Sequence, residues 1–349
     1  MLGRRRQTEP RTSLLRSPRI WLGIALSALF IAIFLWRTDF NEIGDAFAHA
    51  NYWWALASIP VYFVAAYFRA WRWKYLLRPL GEMRTSTLFP IVIIGFMANN
   101  LSPARAGEFV RAYIVGERQK VSKMAALGTI AVDRVFDGIT LLPFLLIVGA
   151  FAGVNDELRT IAIWMTVLFG AGLVLLVVLA LSEGLSHRLV ALALRFVPAR
   201  LKPQVQALAE SFLTGLHSFR SSTDMFLASA TSVVSWLLEA TMYYMIGLAI
   251  GLGLGFEVYL LICAGANLAI AVIATQGGVG PFEFVTQQTA IYFGVESGLA
   301  SAYAVALHAL LLLPVIAVGL YFLWSINLSL GEVLRGRAKA GATEAMVEE

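Results

Sequence analysis

The sequence is short of cysteine, histidine and charge. One cysteine, Cys263, and four histidines occur in 349 residues, so the chain can form no internal disulfide and no thiol-ligated metal site. Charged residues make up 14% of the chain, against about 25% in soluble domains. This shortage excludes a soluble enzyme with a polar coat, a disordered chain and a nucleic-acid-binding domain.

Motifs of nucleotide, cofactor and metal chemistry are absent as well. The sequence contains no Walker loop, no dinucleotide fingerprint, no cluster of metal ligands and no histidine-centred triad. We therefore expect a protein that is not an enzyme and that holds neither cofactor nor metal. The net charge of +5 is then explained by basic cytoplasmic loops of a membrane protein, and no nucleic-acid partner is expected.

Long apolar runs are what the chain has in abundance. Apolar residues make up 59% of it, and its mean hydropathy is +0.74. A membrane-crossing helix needs about 20 such residues. The fold class predicted is an all-α polytopic membrane protein with about six full spans. The predicted spans cover residues 20–36, 52–77, 124–151, 161–181, 225–250 and 299–325.

Two further apolar segments are too short to span a membrane and are interrupted by proline and glycine. The first runs over residues 88–101 and breaks at 99–107; the second runs over 258–274 and breaks at 275–281. Unwound backbone at membrane depth must line protein or water. We therefore predict two re-entrant helical hairpins, each ending in a second short helix. These hairpins cover residues 86–117 and 256–296.

The order of span, broken hairpin and span occurs twice. The tripeptide Glu-Phe-Val at 108–110 follows the first break and recurs at 283–285, 175 positions later, while Arg134 is matched by His308, 174 positions later. The first copy would start outside and the second inside, so inverted-topology repeats are predicted. Paired, interrupted segments in such repeats indicate a transport site near the bilayer midplane.

Charge sets the predicted orientation. With the N-terminus in the cytoplasm, all but three of the 27 Lys and Arg residues, namely all but Arg37, Arg134 and Arg159, fall at cytoplasmic ends. The positive-inside rule favours this arrangement, with both termini cytoplasmic. The basic N-terminal stretch and the apolar run after it lack a small-residue cleavage site, so we interpret them as an uncleaved first span.

The predicted organisation follows from this orientation. It comprises a basic cytoplasmic tail (1–19), a first span with an outer interfacial helix (20–51), the first repeat (52–152), an outer loop, span and cytoplasmic amphipathic helices (153–223), the inverted second repeat (224–325) and a cytoplasmic tail (326–349).

Three charged residues surround the first break. A helix that starts near Glu108 would point its positive end into the protein, and together with Arg105 and Arg111 that end suits a phosphate. The alternative is that all three are ordinary residues of a cytoplasmic loop. The mirrored second break, which contains Gly277 and Gly278, favours the binding site.

Asp133, Arg134 and Asp137 lie inside a predicted span. Their spacing of three or four residues places Asp137 beside both of the others on one helix face. A charge within a span is costly and usually faces a cavity or a partner. One interpretation is an ion pair that only fixes helix packing. The other makes Arg134 a headgroup or gating ligand, with the two acids as its countercharges.

Three more polar residues in apolar segments are candidates. Glu239 lies in mid-span and Glu283 opens the second hairpin helix. Each is either a protonatable carboxylate or a structural group, a packing partner for Glu239 and a helix cap for Glu283. For the lone His308, a hydrogen-bonded structural role is favoured over titration.

Aromatic and basic residues alternate over residues 69–78. Such a mixture is typical of an interfacial anchor, here at the cytoplasmic end of the second span. The basic residues of this run, Arg69 and Arg72 among them, are therefore interpreted as part of this anchor, with a secondary role in gathering anionic lipid.

Four motifs resemble those of the flippase-like family named for the transmembrane region of lysylphosphatidylglycerol synthase. The resemblance covers roughly residues 20–325. The motifs are Trp71-Arg72-Trp73 with Leu76-Leu77, the segment 100–108 with Arg111, Asp133-Arg134 with Asp137, and Gly277-Gly278-Val279-Gly280 with Glu283.

The resemblance implies movement of lipids across a bacterial inner membrane. The implied substrates are aminoacylated phosphatidylglycerol, polyprenyl-linked glycans or hopanoids. The synthases carry a further aminoacyl-transferase domain, which this sequence does not contain, so synthase activity is not expected. Two departures concern the second half: Gln276 stands where such proteins often have proline, and His308 stands where the second repeat often has arginine.

The function predicted is a lipid flippase that is not driven by ATP. Its lipid would be an anionic or aminoacylated phospholipid or a polyprenyl-linked lipid. Two alternatives stay open: a secondary transporter of a small polar solute, and a non-transporting membrane subunit of a lipid-modifying complex. The expected partners are membrane lipids, with a second copy of the chain and a lipid-modifying enzyme as further candidates.

Overall fold

The computed structural model describes residues 40–102, 106–151, 182–198, 201–216, 222–272 and 275–326, together with isolated positions between 160 and 178. The predicted first span, most of the predicted span 161–181 and both tails lie outside the described residues. Throughout the described ranges the chain is helical and contains no strand, so the all-α prediction is confirmed.

Eleven α-helices make up the described part of the chain. They are α1 (Phe40–Ala48), α2 (Tyr52–Leu77), α3 (Thr85–Leu101), α4 (Gly107–Gln119), α5 (Lys123–Phe151), α6 (Glu183–Ala193), α7 (Lys202–Leu216), α8 (Ser222–Ile250), α9 (Phe256–Val272), α10 (Pro281–Tyr292) and α11 (Ser297–Ser325). Short 3₁₀ turns at Arg78–Leu80 and Gln276–Gly278 follow α2 and precede α10.

Local sequence explains where several helices begin. Asn51 caps α2, because its side-chain oxygen accepts a hydrogen bond from the backbone N–H of Trp53 at 3.2 Å. Ser182 caps α6 through the N–H of Leu185. Helix α10 starts at a proline, whose missing N–H and fixed φ suit a first helical position.

Two described helices, α8 and α11, are long and apolar enough to cross a membrane. A third candidate is the pair formed by α2 with its 3₁₀ turn and α3, which bends by 111°. Helix α5 has 29 residues, but three charged residues lie near its middle. The chain is thus a multi-pass membrane protein, while the six spans and the re-entrant geometry stay predictions.

The two halves match in the order and length of their helices. Helices α2 to α5 have 26, 17, 13 and 29 residues, and α8 to α11 have 29, 17, 12 and 29. Helix α2 packs on α8, and the first hairpin arm of each half, α3 or α9, packs on the long last helix of the other half, α11 or α5. Two repeats related by a pseudo-two-fold axis would pack in this reciprocal way. The inversion of the second repeat in the membrane stays a prediction.

Helices are present where interfacial and surface helices were predicted, namely α1, α6 and α7, and their position relative to the membrane stays a prediction. Helix α1 packs on the start of α11, where Glu42 contacts Gly298. Helix α7 packs on the start of α5, and Gly215 allows the approach, since a Cβ there would overlap the carbonyl oxygen of Ala125. Helix α6 turns Leu185 and Leu189 outward, an arrangement that suits a helix whose apolar face lies against lipid.

Candidate functional site

The two breaks in the hairpins lie against each other. The side-chain amide of Gln276, in the second break, donates a hydrogen bond to the carbonyl oxygen of Leu101 at 3.1 Å. The backbone at Gly277 also passes close to the carbonyl oxygen of Asn100. The carbonyl of Leu101, which α3 leaves unpaired at its end, therefore accepts a hydrogen bond from the other half of the protein.

The first break is closed by Asn99, in the last turn of α3. Its Oδ1 accepts a hydrogen bond from the N–H of Gly107 at 2.7 Å, and its Nδ2 donates to Oε1 of Glu108 at 3.3 Å. Asn99 thus serves as the helix cap for α4 from across the hairpin. Helices α3 and α4 are held together at the end where the break occurs.

The second break depends on glycine. Gly277, Gly278 and Gly280 have φ values of 63°, 78° and 99°, which residues with a Cβ rarely adopt. Oε2 of Glu283 accepts a hydrogen bond from the N–H of Gly280 at 2.7 Å. Glu283 is therefore a helix cap, which was one of its two predicted roles.

A cavity of about 130 Å³ opens beside the junction of the two breaks. It has room for several water molecules. Both breaks contribute to its wall, through Asn100 and Gly277. The charged side chains that line it are Arg69, Arg134 and Glu239. His308 and the amide side chains of Asn99 and Asn267 line it as well.

An ion pair forms one wall of this cavity. Nη2 of Arg69 lies 2.5 Å from Oε2 of Glu239, and the Arg69 guanidinium carbon lies 4.2 Å from the ring centroid of Trp236. Asn267 donates to Oε1 of Glu239 at 3.3 Å and to the hydroxyl of Tyr243 at 3.2 Å. Glu239 is buried but fully paired, which makes it part of a polar wall.

A second ionic cluster lies behind the cavity, around Arg72. This side chain is fully buried. Its Nε lies 2.7 Å from Asp133, its Nη2 lies 2.8 Å from Asp137, and its Nη1 donates to Ser232 at 2.7 Å. The interpretation of Arg69 and Arg72 as part of an interfacial anchor is therefore wrong, because packing of α2 on α8 buries both side chains.

Arg111 joins the same cluster from α4. Its Nη1 lies 3.1 Å from Oδ2 of Asp133, and its guanidinium stacks 4.2 Å from the ring centroid of Trp73. The residue is 2% exposed, yet its Nε and Nη2 find no hydrogen-bond acceptor among the described residues. Buried donors without acceptors are costly, so Arg111 has N–H groups available for a further anion.

Arg134 is the exposed member of this cluster. Its side chain is 43% exposed and lines the cavity, while Nη1 lies 3.0 Å from Asp137 and Nη2 lies 3.8 Å from Asp133. The two acids were predicted to be its countercharges, but Arg72 and Arg111 supply most of their pairing. Within this cluster, Arg134 is the residue whose side chain lines the cavity.

His308 bridges the cavity wall and the second hairpin. Its Nδ1 lies 2.5 Å from Oε1 of Glu283, and its Nε2 lies 2.9 Å from the carbonyl oxygen of Gly277. The ring also stacks on Phe282, with a centroid separation of 4.5 Å. The predicted hydrogen-bonded role of His308 agrees with these contacts.

The structure thus gathers most of the predicted site residues into one region. Four of them line the cavity, three form the cluster behind it, and three more close the two breaks, whereas Arg105 lies outside the described residues. The cavity group is Arg134, Glu239, Gly277 and His308; the cluster is Arg111, Asp133 and Asp137; the closing residues are Glu108, Gly278 and Glu283.

Sequence reasoning missed the partners that satisfy these groups, chiefly Arg69, Arg72, Asn99 and Asn267. One signal was available for the two arginines. They are three residues apart and so share a helix face, and the spans hold more acids than Arg134 can pair. An excess of buried acids calls for further buried cations.

Comparison with known proteins gives the chain a family context. A family model described as "Lysylphosphatidylglycerol synthase TM region" matches residues 20–319. Glycosyltransferase AglD of Haloferax volcanii is 27% identical, over 93% of this chain and 57% of its own length, so the chain spans little more than half of that relative. A UPF0104 membrane protein of Methanothermobacter thermautotrophicus is 25% identical over 81% of this chain and 86% of its own.

Proposed function

Because this chain belongs to the family of the lysylphosphatidylglycerol synthase TM region, we propose that it moves a lipid with an anionic headgroup across a membrane without ATP hydrolysis. An anionic or aminoacylated phospholipid and a polyprenyl-linked lipid share the phosphate that such a site would recognise. The proposed setting is the cytoplasmic membrane, with both termini in the cytoplasm. The relatives named above are archaeal, so a bacterial inner membrane stays a prediction.

The observation that carries this proposal is the junction of two broken hairpins at a polar cavity. A membrane protein tolerates unwound backbone at membrane depth where it is buried in protein or lines water. Discontinuous helices in paired repeats are typical of transporters with a central site. In this chain both breaks contribute to one cavity wall.

The charges around the cavity suit a phosphate. Arg134 reaches the cavity with a partly exposed guanidinium. In the cluster behind it, two buried nitrogens of Arg111, Nε and Nη2, have no acceptor among the described residues. Guanidinium groups bind phosphate oxygens through paired, charge-assisted hydrogen bonds. In our proposal Arg105, Arg111 and Arg134 hold the phosphate, and Glu108, Asp133, Asp137, Glu239 and Glu283 keep the empty site near neutrality.

The size of the cavity implies motion. Several water molecules fit, but a whole lipid headgroup needs more room. The two hairpins would have to separate where Gln276 contacts Leu101, so that the headgroup passes between them. The acyl or prenyl tails would stay in the bilayer.

A second candidate is a membrane subunit that works with a lipid-modifying enzyme. It is favoured by one observation: the matched region covers 57% of a relative named a glycosyltransferase. The two candidates differ in whether the purified chain alone moves lipid.

Reconstitution in liposomes with a fluorescent anionic phospholipid tests the proposal. Arg111→Lys keeps a positive charge near Asp133 but removes the spare guanidinium donors. Hydrogen bonds to charged groups contribute about 1.5–3 kcal/mol each, so we expect lipid binding and exchange between leaflets to fall roughly tenfold or more. Glu108→Gln should instead retain bound lipid and release it slowly, because a compensating negative charge is lost.

The matched controls are Arg118→Lys and Glu117→Gln, which lie on the same helix and are exposed. Both should exchange lipid at the wild-type rate. Normal exchange by Arg111→Lys and Glu108→Gln would mean that the first hairpin is structural. Uptake of a soluble solute without lipid exchange would favour a solute transporter.

The proposed orientation is checked by labelling single cysteines in intact cells. The background is Cys263→Ala, in which a buried thiol is removed. A membrane-impermeant maleimide should label Asp156→Cys and should not label Lys202→Cys, because the Lys and Arg distribution puts the second position inside. The reverse pattern would overturn the orientation.

A further inference from the structure

The contacts of His308 fix how many protons its surroundings must hold. The carbonyl oxygen of Gly277 can only accept a hydrogen bond, so Nε2 of His308, 2.9 Å away, carries a hydrogen. A neutral imidazole has only one N–H. Its Nδ1 would then present a lone pair to Oε1 of Glu283 at 2.5 Å.

Two lone pairs at that distance repel each other, so a second hydrogen must lie between Nδ1 and Oε1. It is supplied either by an imidazolium ring or by a protonated carboxyl group. In both cases His308 and Glu283 together hold one proton more than a neutral imidazole and an ionised carboxylate would hold. The N–H of Gly280, which donates to the other oxygen of Glu283 at 2.7 Å, favours the carboxylate and hence the imidazolium.

Other charged and titratable groups line the same cavity as His308. Helix α5 contributes Arg134, α2 contributes Arg69 and Tyr62, and α8 contributes Glu239 and Tyr243. Glu239 is already paired with Arg69. Among the described residues, Glu283 is therefore the acid that holds the extra proton in place, while Arg134 and Arg69 oppose a positive ring.

We propose that His308, Glu283 and the Gly277 carbonyl form a proton-binding site, and that the proton is the coupling ion for the lipid movement proposed above, on which this inference rests. Loss of the proton leaves Nδ1 and Oε1 in repulsion and releases the second hairpin from α11. The break at Gly277 is then free to separate from the first hairpin.

The two halves of the site differ in whether their charge can change with pH. At the position in the first half that corresponds to His308, the chain carries Arg134, whose guanidinium stays charged at any physiological pH. An imidazole can gain or lose its charge between pH 5 and 8. The second hairpin is therefore the proton-sensitive half, and the first supplies a constant charge.

Two measurements test the site, and only one depends on lipid movement. In ¹⁵N spectra of histidine-labelled protein in nanodiscs, assigned by loss of a signal in His308→Gln, both ring nitrogens of His308 should be protonated at low pH. The signal should change to a neutral ring as the pH rises. A ring that is neutral at every pH, beside an ionised Glu283, would overturn the proposal even if lipid exchange is observed.

The second measurement uses liposomes with a pH difference of about one unit across the membrane. If one proton moves with each lipid, the labelled lipid should shift about tenfold in its distribution between leaflets. His308→Arg and Glu283→Gln should abolish the shift, while His187→Gln, on the exposed surface of α6, should leave it intact.

The outcomes separate the two proposals. Lipid exchange that is insensitive to the pH difference in the wild-type protein would exclude proton coupling and leave the flippase function standing. A full pH response in His308→Arg would also exclude it. Absence of exchange under every condition would contradict the flippase function, with the ¹⁵N titration still deciding whether the proton site exists.

Discussion

Replacing Arg72 with methionine should cost about 3–5 kcal/mol of the free energy of unfolding, as expected when one partner of a buried ion pair is removed. Arg72 is fully buried and contacts Asp133, Asp137 and Ser232. Without it, the partners that Asp137 keeps among the described residues are Arg134 and the indole N–H of Trp236. Equilibrium unfolding in mixed micelles measures the effect.

The matched control is Arg78→Met, in the 3₁₀ turn that directly follows the same helix. Arg78 pairs with Asp224, but its side chain is 44% exposed, and exposed pairs contribute about 0–1 kcal/mol. Arg134→Met should also cost less than Arg72→Met. Equal loss in Arg72→Met and Arg78→Met would show that the cluster is hydrated.

A double variant sharpens this result. Adding Asp133→Asn to Arg72→Met removes a charge that has lost its main partner. The double variant should therefore be destabilised by less than the sum of the two single changes, since contacting residues are not additive. Strict additivity would mean that Arg72 and Asp133 do not interact.

Gly107→Ala should separate the two arms of the first hairpin. A Cβ at Gly107 would overlap the carbonyl oxygen of Gly95 and lie 2.7 Å from the side-chain amide of Asn99. Neither can withdraw, because Gly95 belongs to the backbone of α3 and Asn99 caps α4. Overpacking of this kind costs about 1–3 kcal/mol or more, and lipid exchange should fall with it.

Gly138→Ala in α5 is the control, because a Cβ there meets no atom within 4 Å. Alanine in a helix interior is favoured over glycine by about 1 kcal/mol, so this variant should keep or raise the melting temperature in detergent. Similar melting temperatures for the two variants would contradict the close packing of α3 on α4.

Much of the architecture follows from local sequence. Apolar runs of 20 to 30 residues have to be helical in a membrane, because no water is there to satisfy the backbone. Proline and glycine at 103–107 and 277–281 then mark where those helices stop. The recurrence of Glu-Phe-Val after both breaks indicated two similar halves, and the helices of the two halves match in order and length.

The sequence also identified the charges that matter but not their partners. Asp133, Asp137 and Glu239 stood out because ionised groups in apolar helices are costly. Arg72, which pairs with the first two, lies in an aromatic and basic run whose composition is the same for an interfacial anchor and for a buried cation. Local pattern cannot separate these two cases.

What the sequence by itself determined is a helical membrane protein with two interrupted hairpins and a set of buried charges. Only the tertiary structure decided which of these charges are buried together and how the two hairpins contact each other. Packing of α2 on α8 carries Arg69 and Arg72 away from the surface, and packing between the halves brings Gln276 to Leu101 across 175 positions of sequence. Such pairings depend on which helix faces meet, and that is settled by the fit of side chains over whole helices.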